Sequence, residues 1–339
     1  MPERVLRHEG SVTSLSWIPS EAVEGTSHLA FEAGLTHYDN PPPERLEDLE
    51  ALRVADRFRF ANVLRAWVEV DQSAQIVGAG YGDSGCVMGS TTVSLGGLHY
   101  RFQPVTLPDL RKDPEHGEGW VRFVQTTGGR TGMPAPRRVR RKPYLQWQAP
   151  LVWTTLAITL HSSGKIESDM IGASRFPRHW VYDEQGALSR KSGLTDFRDW
   201  YTRSPGPHTP WGDQDSEALV TTVESALERS LSASLMRGSS KPRIVRLAAG
   251  TVVMAQGEPG EDMCLVLDGV VRVERDGEQL AEYGPGALLG ERAHLEGGRR
   301  AASVVAVTPC RLAVFHPEQL DRAALETLSQ GHRREEHSG

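Results

Sequence analysis

The residues best suited to chemistry lie near the end of the chain, in the run LLGERAHLEGGRRAASVVAV from Leu288 to Val307. In this run Arg299 and Arg300 stand directly before two alanines and a serine. A guanidinium is permanently charged and can hold two phosphate oxygens at once, and small side chains let an anion approach backbone N–H groups. The run therefore predicts an anion site. The alternative is a solvated basic turn with Glu291 as its surface partner.

Short strands punctuated by glycine precede this run. From Ile244 to Phe315 the pattern is that of a small β-roll, with turns at Gly269, Gly277 and Pro285–Gly286 spaced about eight residues apart. A metal-binding cupin has a similar skeleton, but its metal needs converging imidazoles. The segment GEPGEDMCLVLDG contains no histidine, which argues against a cupin metal site.

Together, the strands and the run resemble the cyclic nucleotide-binding domain, the sensor of the catabolite activator protein and of protein kinase A regulatory subunits. The family pattern is Gly-Glu-x-Ala-Leu, a short loop and Arg-Ala-Ala/Ser-Thr. It stands here as Gly290 to His294, a loop ending at Arg299, and Arg300 to Ser303. The upstream segment AGTVVMAQGEPGEDMCLVLDGVVRV is similar to the family's strands in order and spacing. The resemblance implies a jelly-roll-like domain with cAMP or cGMP as regulatory ligand and no covalent cofactor.

The resemblance also implies a set of ligand-binding residues, namely Gly290, Glu291, Arg292, Arg300, Ala301, Ala302 and Ser303. Arg300 would bind the phosphate, and backbone N–H groups of the next two residues and of the short helix near Gly290 would add donors. Glu291 resembles the family's ribose ligand, whose carboxylate accepts from the 2′-hydroxyl. Arg292 and His294 depart from the family, which usually has apolar residues there. Arg292 would then either assist the phosphate or alter the ligand preference.

The residues after Phe315 differ from the family's long covering helix. Leu320, Ala324, Leu325 and Leu328 give one short apolar face, and the charged residues after them are expected to fray. No helix-turn-helix fits in this stretch, so the resemblance to the catabolite activator is expected to stop at its sensor. The base is then covered by the N-terminal domain, by another subunit, or by nothing. The alternative is that the run Leu288–Val307, here called the cassette, is degenerate and serves as an assembly scaffold.

Residues before this region hold weaker candidates for chemistry. GDSGC at Gly82–Cys86 lacks the histidine and aspartate context of a serine protease. Cys86, with His99 or His161 as its base, is better interpreted as a buried thiol. The histidines have no metal-ligand spacing, and PRRVRRKP at Pro136–Pro143 is expected to be a solvated loop. These residues do not predict catalysis, so we expect an N-terminal domain that is not an enzyme. An enzyme or a hydrophobic-ligand binder under cyclic-nucleotide control is the alternative.

Composition excludes several classes of function. Of the 339 residues, 38 are Lys or Arg and 44 are Asp or Glu, so the net charge of −6 argues against a nucleic-acid or anionic-membrane surface. The three cysteines have no CxxC pairing, which indicates reduced thiols in a cytosol. The longest apolar run, Ala149–Leu160, is about half the ~20 residues that a membrane helix requires. We expect a cytoplasmic protein without a signal peptide.

The elements that must position these residues form two domains of α+β class. We predict a mainly antiparallel β domain over residues 1–237 and a cyclic nucleotide-binding domain over residues 243–330, separated at Gly238–Pro242. Strand-like patterns run from Asn62 to Lys191, with hairpins at HSSG and at His179–Gly193. A homo-oligomer or a protein partner is expected to bind through the N-terminal domain.

Two helices are predicted around the C-terminal domain. Apolar residues recurring every four positions indicate a helix over Asp215–Arg237, namely Leu219, Val223, Leu227, Leu231 and Leu235. Asp213 or Asp215 would cap it. A β domain closed by this long helix suits the helix-grip class, and a distinct β-sandwich is the alternative. A last helix is expected over Pro317–Gln330.

Overall fold

The computed structural model describes residues 5–19, 22–23, 38–95, 98–131, 135–138, 144–195, 197, 200, 209–212, 218, 220–237 and 242–335. The chain divides into two compact units. The first consists of Met1–Pro19, Val23–Arg190 and Asp196–Leu219, and the second of Ser20–Ala22, Lys191–Thr195 and Val220–Gly339. The predicted helix before Gly238 groups by its contacts with the second unit from Val220 onward, and the domain boundary at Gly238–Pro242 stays a prediction.

The elements described in the first unit include antiparallel strands and a short helix. Its helix α1 is Leu49–Val54, and Asp48 caps it by accepting from the backbone N–H of Ala51. The strands are β1 Leu6–Trp17, β2 Phe60–Val70, β3 Ile76–Tyr81, β4 Gly85–Met88, β5 Thr91–Leu95, β6 Leu98–Phe102, β7 Val105–Thr106, β8 Leu110–Arg111, β9 Glu115–Gly117, β10 Trp120–Arg130, β11 Ala135–Arg138, β12 Leu145–Gln148, β13 Leu151–His161, β14 Ile166–Ala173, β15 Arg178–Tyr182 and β16 Leu188–Ser192.

Two sheets of this unit face each other. One has the order β16-β15-β1-β2-β3 with β4 beside β2, and the other has the order β14-β13-β10-β7. A buried polar chain crosses between them: Ser14 contacts Thr154 at 2.7 Å, and Asn62 bonds both Thr154 and Gln125. Because buried amides and hydroxyls need partners, these pairs fix how the sheets face each other.

The sequence predicted this strand content and both hairpins. The turn of the first hairpin is closed by the His161 N–H donating to Lys165 O, and that of the second by the Asp183 N–H donating to Ala187 O. The long helix expected to close the domain groups with the second unit instead. Part of the expected loop at Pro136–Pro143 is a strand, since β11 pairs with β12, and residues 139–143 lie outside the described residues.

The second unit is a β-roll with helices around it. Its strands are β17 Val220–Thr222, β18 Arg243–Leu247, β19 Val252–Met254, β20 Met263–Asp268, β21 Val271–Arg275, β22 Glu278–Tyr283, β23 Leu288–Leu289, β24 Ser303–Ala306 and β25 Cys310–Phe315. Its helices are α2 Ala226–Arg237, α3 Glu291–Leu295, a 3₁₀ turn Pro317–Gln319 and α4 Arg322–Glu335. Two antiparallel sheets have the orders β18-β25-β20-β23 and β19-β24-β21-β22.

The apolar run in β20 is explained by burial on both of its faces. Cys264 and Val266 point into the cluster between the sheets, whereas Met263, Leu265 and Leu267 belong to a second cluster. That second cluster includes Leu235 of α2, and Leu325 and Leu328 of α4. Successive strand residues face opposite sides, so the continuous apolar sequence packs the roll on one side and both helices on the other.

Helix α2 begins later than the apolar spacing predicts. The N–H and hydroxyl of Ser225 donate to Glu228 Oε2, at 2.8 and 3.0 Å, and the N–H of Glu228 donates back to the Ser225 hydroxyl at 3.2 Å. This reciprocal pair is a capping box, and it starts the helix at Ala226. Residues 220–222 form β17 instead of helix, and the expected caps Asp213 and Asp215 lie outside the described residues.

None of the described helices has the length and apolar character that crossing a membrane requires.

Helix α4 differs from the predicted bounds, since it begins at Arg322 after a 3₁₀ turn and continues to Glu335. The charged residues expected to fray are therefore helical as far as Glu335, and this brings His332 into the unit's interior, where it is 5% exposed.

Replacing Leu265 by alanine should destabilise the second unit by about 2–5 kcal/mol, because Leu265 is fully buried between the roll and both helices. Ile244→Ala is the control, since Ile244 is 47% exposed on β18. Urea denaturation followed by far-UV circular dichroism measures the change. All eight tryptophans lie at or before Trp211, so tryptophan emission reports the first unit in parallel. Equal midpoints for the two variants would contradict this packing.

Candidate functional site

A cavity opens in the second unit beside helix α3. The space in and directly in front of it, open solvent included, is about 460 Å³. Two polar stretches line it, Gly290–Ala293 and Arg300–Ala302. Its other walls come from strand residues and from the last helix, namely Met254, Val273, Tyr283, Leu289, Val304 and His332. The cavity is therefore polar along the cassette and apolar along the roll.

The structure gathers most of the residues predicted as ligands. Those that line the cavity are Gly290, Glu291, Arg292, Arg300, Ala301 and Ala302. Ser303 is not among the lining residues. It starts β24, and its hydroxyl accepts from the backbone N–H of Gln256 at 3.0 Å. Ser303 therefore secures the end of β19.

Arg300 presents a positive charge to the cavity. Its Nη1 donates to the carbonyl of Gly290 at 3.3 Å and its Nη2 to the carbonyl of Asp262 at 2.7 Å. Both acceptors are neutral, so no described carboxylate neutralises the guanidinium by an ion pair. Burial lowers the pKa of Arg300, although the guanidinium stays charged near neutrality. The neighbouring Arg299 bonds the carbonyl of Gly257 and is exposed.

Gly290 is required by this arrangement. Its φ is +100°, in the left-handed region that favours glycine. A Cβ at this position would lie 2.9 Å from Nη1 of Arg300 and 3.0 Å from the carbonyl oxygen of Asp262. The glycine thus lets the guanidinium approach the backbone just ahead of α3.

Glu291, the first residue of α3, is 3% exposed and contacts a histidine that is not among the predicted site residues. The Nδ1 of His332 lies 3.1 Å from its Oε1. The other ring nitrogen of His332 lies 3.4 Å from Oε1 of Glu228 on α2. One imidazole therefore lies between two buried carboxylates, one of which lines the cavity.

The protonation of this cluster follows from the pairing. Burial alone would lower the pKa of His332, but hydrogen bonds and charge from Glu228 and Glu291 outweigh it and raise the pKa to about 10. Burial acts to raise the pKa of Glu228, and its contacts with His332 and with the Ser225 and Leu288 backbone lower it overall. At neutral pH His332 is thus an imidazolium that donates from both nitrogens.

Two signals in the sequence point to single members of the cluster, but neither pairs them. Ser225 and Glu228 have the spacing of a capping box, which places a carboxylate in the first turn of α2. His332 follows Leu325 and Leu328 at helical spacing, on the face that packs inward.

Arg292, the predicted departure from the family, lines the cavity, and its Nε lies 4.0 Å from Glu296.

Ser84 and Cys86, the nucleophile candidates of the first unit, bond backbone and amide groups in the structure. The Ser84 hydroxyl bonds the carbonyl of Gly82 and the side chain of Gln125, and no histidine is among these partners. Burial raises the pKa of Cys86 to about 12, so its thiol stays protonated. The side chain of His99 lies outside the described residues. In the part of the chain that the structure describes, no group of three or more acidic, cysteine or histidine side chains could hold a metal ion.

Comparison with known proteins gives this unit a family. The family model of the cyclic nucleotide-binding domain matches residues 244–326. The cGMP-dependent protein kinase egl-4 of Caenorhabditis briggsae is 36% identical over 94 residues, which are 28% of this chain and 12% of the kinase. The cAMP-dependent protein kinase regulatory subunit of Yarrowia lipolytica is 29% identical over 102 residues, which are 30% of this chain and 23% of that protein. The chain thus spans only a small part of these relatives.

Among solved structures, the cyclic nucleotide-binding domain of Methylobacillus flagellatus is 24% identical and has a TM-score of 0.27. The similarity covers 34% of this chain and 71% of that one. The family match begins inside β18 and ends inside α4, so it contains the roll and the whole cassette. Residues 244–326 are therefore a cyclic nucleotide-binding domain.

Proposed function

We propose that this chain is a sensor that binds cAMP or cGMP in the cavity beside α3 and thereby regulates its N-terminal unit. The observation that carries the proposal is that the Arg300 guanidinium and the Glu291 carboxylate line one cavity. A cyclic phosphodiester has one negative charge, and its ribose has a hydroxyl that can donate. The cation and the acceptor match these two groups.

The charges of the site support binding of a phosphodiester. Arg300 forms its described bonds to carbonyls, so its charge is available to an anion at modest cost in lost contacts. Ala301 and Ala302 carry only methyl groups, which leave room for a phosphate at their backbone. The relatives matched here are named as cGMP- and cAMP-dependent proteins, which fits the same ligand class.

The apolar walls support a ligand with a base as well as a phosphate. Met254, Val273 and Val304 line the cavity together with the ring of Tyr283. A purine would remove such surface from water at roughly 25 cal/mol per Å² of apolar area. A cavity with one charged and one apolar side favours nucleotide binding over the alternative of a degenerate assembly scaffold.

Replacing Arg300 by glutamate should weaken binding of cAMP and of cGMP by about ten- to a hundred-fold or more, since each charge-assisted bond contributes roughly 1.5–3 kcal/mol. Isothermal titration measures the affinity of the full chain. Arg299→Glu is the matched control, because it makes the same charge change on a neighbour that bonds Gly257 outside the cavity. AMP, whose phosphate is not cyclised, tests whether binding requires the cyclic phosphodiester. Equal affinities of the two variants, or no binding by the unmodified chain, would contradict the proposal.

Control of the first unit has its own test. The second unit contains no tryptophan, so a change in tryptophan emission on adding nucleotide must arise in the first unit. We expect a saturable change whose midpoint equals the dissociation constant from calorimetry, because coupled sites share one equilibrium. Binding without any change in emission or in amide exchange of the first unit would leave a sensor domain that does not regulate it.

Self-association through the first unit stays a prediction, and light scattering tests it.

A further inference from the structure

His332 joins three helices of the second unit. It lies on α4, its Nδ1 faces Glu291 at the start of α3, and its Nε2 faces Glu228 in the first turn of α2. Its ring centroid is 5.3 Å from that of Tyr283 on β22. The ring also lines the cavity, together with the two arginines at positions 292 and 300.

The cluster holds the cassette at two points. Glu228 Oε1 accepts from the backbone N–H of Leu288 at 3.1 Å, and Leu288 lies two residues before Gly290. The same oxygen faces His332, whose other nitrogen faces Glu291. The strand entering the cassette and the first residue of α3 are thus both fixed to one carboxylate–imidazolium pair.

We propose that His332 is a positioning residue that fixes Glu291 as the acceptor for the sugar 2′-hydroxyl and so determines the preference for ribose. The inference rests on the proposed function. One oxygen of Glu291 is bonded by His332, so the second oxygen is the one left for a ligand. A carboxylate whose orientation is fixed in advance binds a hydroxyl without losing side-chain entropy at that moment.

The bridge depends on the charge of His332, whose two ring nitrogens face the carboxylates of Glu228 and Glu291. Because the pKa of His332 is raised to about 10 by both glutamates, the bridge persists through neutral pH and is lost as the pH rises through about 10. Tyr283, Arg292 and Arg300 are the other titratable groups around the cavity.

The test compares cAMP with 2′-deoxy-cAMP in the full chain and in His332→Gln. In the unmodified chain the 2′-hydroxyl should improve affinity by about tenfold, and His332→Gln should remove most of that factor while changing the 2′-deoxy affinity less than about threefold. His316→Gln is the matched control, since His316 is a half-exposed histidine of the same unit, near Glu261 and Glu318. It should keep the full preference.

The outcomes are distinguishable. An equal loss of affinity for both ligands in His332→Gln would mean a purely structural histidine and would overturn the inference. An unchanged hydroxyl preference would overturn it as well. No binding of either nucleotide by the unmodified chain would instead contradict the proposed function.

A second measurement does not depend on how the variant folds. Nitrogen-15 NMR of the unmodified chain without nucleotide should show both ring nitrogens of His332 protonated from pH 6 to about pH 9. Saturating cAMP should leave this state unchanged, because the imidazolium stays bonded while the hydroxyl uses the other oxygen. A ring that titrates near its ordinary pKa of about 6.5, or that loses its proton when cAMP binds, would overturn the positioning role.

Discussion

Two buried carboxylates that share one imidazolium are the interaction on which the second unit depends. Glu228, Glu291 and His332 are each 5% exposed or less. Burying an unpaired charge costs several kcal/mol, so the imidazolium of His332 needs its two carboxylate partners in the interior. Because the three residues lie on α2, α3 and α4, the pairing requirement fixes the three helices around the cavity.

Within the roll, β20 provides apolar packing and the cassette provides the polar groups that line the cavity. Strand β20 is apolar on both faces, so it packs the sheets on one side and supports α2 and α4 on the other. The charged groups that line the cavity therefore come from the short, glycine-rich cassette. There Gly290 brings Arg300 against the backbone, and the neutral carbonyl acceptors leave the cation to face the cavity.

The cassette and the strands were predictable from sequence because their signals are local. Turn glycines, alternating strands and the Gly-Glu and Arg-Ala-Ala runs all fall within short stretches. His332 was not predicted because its partners are 41 and 104 residues away in the chain, and no local pattern pairs a helical histidine with distant carboxylates. The start of α2 was placed too early because Leu219 and Val223 fit a helical spacing, whereas the Ser225–Glu228 box begins the helix after β17. The arrangement of the two sheets in the first unit depends on contacts between distant residues such as Asn62 and Gln125, which periodicity does not specify.

A crystal structure of the full chain with cAMP would show which residues hold the nucleotide. We expect the phosphate about 2.7–2.9 Å from the Arg300 guanidinium and the 2′-hydroxyl on the oxygen of Glu291 that His332 leaves open. A nucleotide bound elsewhere, or one whose phosphate avoids Arg300, would contradict it.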